Sequence, residues 1–160
     1  GLILAGIVGA GGSLSALLSG VLGDRINRHD MRGSMWISAG GVIVATPLYI
    51  LAYFIPSTVV AVSMLGLATL FGFMVPPQFF VVLQTVVTLP LRAFAVGIAM
   101  AFFTAFGLGG GVTLVGAISE TQIWGSESLR YSLSIVTLTF LWGAIHFLLA
   151  AHYCKSEKVS

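Results

Sequence analysis

The sequence predicts an all-α membrane protein of five transmembrane helices, and three observations predict it. Apolar residues make up 58% of the 160 and charged residues only 8%, with a mean hydropathy of +1.06, so a soluble globule could not cover itself with polar side chains. The uncharged stretches reach the roughly 20 residues that a helix needs to cross the hydrocarbon layer. They also lack the alternation of a barrel strand, which leaves the helix as the spanning element.

The first span covers residues 2–22 and ends at the charged segment GVLGDRINRHDMR. The second covers 35–55 and carries Pro47. The third apolar run, 57–88, is too long for one upright span and too short for two. It is broken by Pro76-Pro77, which predicts one helix kinked or tilted there. Pro90 offers a fresh start for a fourth span over 91–118. A polar connector from Ser119 to Arg130 then leads to a fifth span over 131–151. All 160 residues are read as a single transmembrane domain. Trp36, Trp124, Tyr131 and Tyr153 fall near predicted ends, where amphipathic rings favour the headgroup layer.

The net charge of +2 and a pI near 9.0 do not imply nucleic acid, because the basic residues sit in short loops between apolar runs. There they report topology. Cytoplasmic loops retain Lys and Arg, and Arg25, Arg28, Arg32, Arg92, Lys155 and Lys158 share one side while only Arg130 lies opposite. The amino end is therefore expected outside and the carboxyl tail inside, in a bacterial inner membrane. The lone Cys154 has no intrachain disulfide partner and is read as chemically incidental. The opening GLILAGIVGAGG has no basic region before its apolar run and does not resemble a secretory signal. The chain reads as a piece of something longer.

Two spans carry small residues at helical spacing, four apart and hence on one face. They are Gly12, Ala16 and Gly20 in the first span, and Ala93, Gly97, Ala101, Ala105 and Gly109 in the fourth. In lipid, such stripes allow close backbone approach, so they predict helix partners.

At this point the residues carry a resemblance. Gly20, Leu22, Asp24, Arg25 and Arg28, with Arg32 beyond them, resemble the G-x-L-x-D-R-x-x-R loop of the major facilitator superfamily, which recurs after the second and eighth of its twelve helices. Only four further spans follow here, which fits the eighth to twelfth helices, a partial fold of that family. The segments PLRAFAVGIAMAF and SESLRYSLSIV resemble Spinster-like members. The resemblance implies a missing amino-terminal half as partner, against which the small-residue stripes would pack. It also implies a gating role for the loop, in which Asp24 and Arg28 latch one side of the transporter while the cavity faces the other. Exposed ion pairs contribute only about 0 to 1 kcal/mol each, so stability alone does not explain the charges.

The resemblance places the third span at a central cavity and makes polar groups there the substrate candidates. Gln78 follows the proline break, where irregular backbone is tolerated only against protein or a water-filled cavity. An amide bonded to a neighbouring helix is an equal reading of it. Gln84, Thr104 and Thr113 are weaker, since hydroxyls in spans usually bond their own backbone. Phe79, Phe80, Phe102, Phe103 and Phe106 either line a cavity or simply pack.

No Asp, Glu, Lys or Arg lies at mid-depth in any predicted span, so no proton or ion path is marked. His146 is the one titratable group well inside a helix and reads as a packing or interfacial residue; His29 and His152 lie in polar segments. No nucleophile elbow, HExxH, Walker loop or metal-spaced Cys/His cluster occurs, so neither an enzyme nor a metal or cofactor site is expected. The glycine run from Gly107 to Gly111 is read as allowing close packing or bending of the fourth helix. The expected function is secondary transport of a small or amphipathic organic solute by alternating access, with membrane lipid around it. Spinster-like relatives are associated with lysophospholipids and sphingoid lipids. The alternative is a non-transporting scaffold or assembly subunit derived from a transporter half.

Overall fold

Seven α-helices and no strand make up the described part of the chain in a computed structural model, which covers residues 2–28, 30 and 32–153, with side chains from Ala5 onward. His29, Cys154, Lys155 and Lys158, read above for orientation and redox state, lie outside the described residues. The helices are α1 (Leu2–Asn27), α2 (Gly33–Phe54), α3 (Thr58–Gly72), α4 (Val75–Val86), α5 (Arg92–Phe102), α6 (Gly111–Glu120) and α7 (Ser128–Tyr153). A π-helical segment, Phe103–Gly110, joins α5 to α6 without a break. Together they form five stretches long and apolar enough to cross a membrane: Ala5–Asn27, Gly33–Phe54, Thr58–Val86, Leu89–Glu120 and Gly125–Tyr153. The protein is a multi-pass membrane protein.

The first boundary corrects the sequence reading. α1 does not close at Leu22 but continues to Asn27, so Gly20, Asp24 and Arg25 lie on a helix and not in a loop. Charge alone does not end a helix, because the backbone ladder stays satisfied after the side chains leave the hydrocarbon. The true turn is short and is tied across its ends: Asn27 Nδ2 donates to Ser34 Oγ at 2.7 Å, and Ser34 N–H donates to Asn27 Oδ1 at 3.1 Å.

α2 is the centre of the bundle. Its buried positions include Ser34, Ser38, Gly41, Val42, Ala45 and Ala52, which recur at three and four residues and are small. That face lets α3, α4 and α7 pack closely on it. Gly41 shows how closely: a Cβ there would sit 2.7 Å from the Phe71 carbonyl oxygen. Span Leu89–Glu120, by contrast, has no buried residue in its most apolar window. It touches the bundle mainly through α7 and α4.

Candidate functional site

Two prolines set the local geometry. Pro76 and Pro77 have no N–H, so the carbonyls of Gly72 and Phe73 receive no donor from four residues on. α3 accordingly stops at Gly72 and α4 starts at Val75, while Met74 N–H turns to Phe71 O at 3.2 Å. In an unbroken α-helix that N–H would serve Leu70 O. An orphaned carbonyl in a bilayer costs several kcal/mol, so the break needs donors from elsewhere.

α1 supplies them. Ser15 Oγ donates to Leu70 O, and one turn later Ser19 Oγ donates to Met74 O at 2.9 Å. Both serines are fully buried. Each pair is separated by 55 residues, so α1 runs parallel to the broken span and in step with it. The same register continues at both ends. A Cβ on Gly11 would lie 4.0 Å from Gly66 O, and a Cβ on Gly23 would lie 2.6 Å from Gln78 Nε2. Gly11, Ser15, Ser19 and Gly23 therefore form one small face at four-residue spacing.

Gln78 closes this seam. Its Nε2 donates to Ser19 O at 2.6 Å and to Ser19 Oγ at 2.9 Å. Because a carbonyl oxygen only accepts, the amide nitrogen must be the end facing Ser19. Oε1 is left buried with no donor, the one such side-chain atom among the described residues. Glycine at position 23 makes the room, since any side chain there would collide with the amide. Serine and glutamine side chains are neutral, so the seam exchanges hydrogen bonds and not protons.

Compared with models of known families, with curated proteins and with solved structures, the chain matches none.

The other sequence candidates fall in varied places. Asp24, Arg25 and Arg28 are exposed at the end of α1, and the one salt bridge among the described residues is elsewhere, between Arg130 and Glu127. Arg32 caps the start of α2, where its N–H donates to Asp30 Oδ1 at 2.9 Å. Gln84 is exposed on α4, away from Gln78. Thr104 and Thr113 donate to the backbone of Met100 and Gly109 in their own helix. Of the first stripe, Gly12 meets the Phe73 ring, whereas Ala16 is exposed and Gly20 has nothing within 4 Å of a notional Cβ. Ala93, Gly97, Ala101, Ala105 and Gly109 are all exposed.

The aromatic candidates divide. Phe79, Phe80 and Phe103 stack edge to face with centroids 5.1 to 6.0 Å apart, which ties α4 to the π segment. Phe102 and Phe106 stack on each other on the exposed side. His146 Nδ1 donates to Trp142 O at 2.8 Å on the outer face of α7. The glycine run falls across the end of the π segment, and a Cβ on Gly107 or Gly111 would meet nothing within 4 Å.

Sequence reasoning missed Ser15, Ser19 and Gly23. Their signal was present: they obey the same four-residue rule as the chosen stripe, one residue out of phase with it.

Proposed function

We propose that this chain belongs to a secondary transporter of the major facilitator type that moves a small or amphipathic organic solute by alternating access. The observation that carries this reading is the broken span at Pro76-Pro77, flanked by the carbonyls of Leu70 and Met74 that accept from Ser15 and Ser19. Discontinuous helices with satisfied but irregular backbone are how transporters build sites near the bilayer midplane. Gln78, next to the break, is the substrate-side candidate, and the exposed small faces of α1 and of Leu89–Glu120 pack against helices of an opposing half. Asp24 and Arg28 form the latch on the basic side, which is the cytoplasmic face of a bacterial inner membrane, where the carboxyl terminus also lies.

Uptake by cells carrying the complete transporter tests this. Asp24→Asn should slow turnover several-fold while expression holds, and transport at the parent rate would remove the latch from the mechanism. A scaffold role has one observation in its favour, the Leu89–Glu120 span with no buried residue in its most apolar window. It requires that no solute in an uptake screen depends on the protein.

A further inference from the structure

α2 packs against both α4 and α7, and between these two lies a cleft of about 240 Å3. Its walls include Ser34, Met35 and Ser38 of α2, Gln78 and Val82 of α4, and Phe147 of α7, with no charged side chain among the lining residues. The Ser38 hydroxyl is already committed to Ser34 O at 2.9 Å. Ser34 Oγ is held by Asn27 Nδ2, and Gln78 Oε1 is buried, so the cavity offers water too few partners to hold it. In a bilayer its natural filling is hydrocarbon.

The cleft sits at one end of the bundle. It is built from the first turns of α2, α4 from Gln78 to its end at Val86, and the last turns of α7, so it reaches the side that carries Arg25, Arg28 and Arg92. Arg92 does not line the cleft but is held beside its end: Nε donates at 3.2 Å to the carbonyl of Val87, the residue after cleft-lining Val86. That bond uses one of five N–H groups. Among the described residues no carboxylate pairs with the guanidinium. An apolar slot with an uncompensated cation beside its end matches a lipid tail and an anionic headgroup, and basic pockets between spans bind such headgroups.

The geometry points to a resident anionic phospholipid, with one acyl chain in the α2–α4–α7 cleft and its phosphate on Arg92. The lipid is a bound component and not cargo. The cleft shares Gln78 with the site of the transport reading, but a chain that moved no solute would hold the lipid equally.

The test uses the purified chain, released from nanodiscs of equal parts phosphatidylglycerol and phosphatidylcholine and weighed with its bound lipid by native mass spectrometry. Phosphatidylglycerol should be retained over phosphatidylcholine by roughly five-fold, the factor for one basic residue at an anionic surface. Arg92→Gln should bring the ratio close to one, and Arg92→Lys should keep most of it. Val82→Trp fills the slot and should lower retention of both lipids while Arg92 is intact. An unchanged ratio in Arg92→Gln, or equal retention of the two lipids by the parent, overturns the site. So does loss of the preference in millimolar inorganic phosphate with tail occupancy unchanged by Val82→Trp, which would assign Arg92 to free phosphate.

Discussion

Gln78 Nε2 lies 2.6 Å from Ser19 O and 2.9 Å from Ser19 Oγ, so one residue of α4 grips both the backbone and the side chain of one residue of α1. The grip is asymmetric: the amide nitrogen makes two bonds and the amide oxygen none. An orphaned buried acceptor costs about 1–3 kcal/mol, which offsets much of what the two bonds contribute.

Gln78→Leu should therefore change stability little, by about 1 kcal/mol in either direction, because it removes the orphan together with the bonds. Ser19 keeps Met74 O as its acceptor. Gln78→Glu should be far worse, by about 2 kcal/mol or more, since it sets an oxygen against Ser19 O and removes the donor. Thermal unfolding in detergent micelles checks the order, and a Leu variant weaker than the Glu variant would contradict it.

Gly23→Ala places a methyl 2.6 Å from Gln78 Nε2. Overpacking of this kind costs about 1–3 kcal/mol. Shortening the partner should relieve it, so Gly23→Ala in a Gln78→Ala background should cost less than about 0.5 kcal/mol. A double-mutant cycle measures the coupling; additive effects would mean that the two residues do not meet.

Ser15→Ala leaves Leu70 O without its donor from α1. Interhelical bonds of this kind in membranes contribute about 0.6 to 2 kcal/mol. Ser13→Ala is the comparison, because Ser13 donates only to Gly9 O in its own helix and is exposed. It should shift stability by less than about 0.5 kcal/mol.

Gly41→Ala and Gly97→Ala should diverge. The first drives a methyl to 2.7 Å from a backbone oxygen, where nothing flexible can yield, while the second meets nothing within 4 Å. Gly41→Ala should destabilise the bundle by about 1–3 kcal/mol. Gly97→Ala should be neutral or stabilising by about 0.5–1 kcal/mol through helix propensity. Gly97→Leu should likewise leave the unfolding temperature of this chain unchanged yet impair uptake by the complete transporter, because the exposed face is where the proposal puts another helix.

Much of the architecture is legible from residues alone. Hydrocarbon admits only long, uncharged helical runs, so composition and the positions of Arg and Pro predict five spans and the break at Pro76-Pro77. Gln78 stands out for the same reason, as a polar residue beside two missing N–H donors. The end of α1 does not, because Asp24, Arg25 and Ile26 are all acceptable inside a helix once it has left the lipid.

The sequence by itself determined how many times this protein can cross a membrane, which end is basic and where one span must break, because desolvation of backbone and charge depends on residue type alone. Only the tertiary structure decided which face of α1 meets that break. Gly12, Ala16 and Gly20 satisfy the spacing rule as well as Gly11, Ser15, Ser19 and Gly23 do, and helical period cannot separate two adjacent stripes. What separates them is the position of the carbonyls of Leu70 and Met74, which accept from hydroxyl donors in step with them. A donor and its acceptor 55 residues apart become neighbours only when the helices have packed.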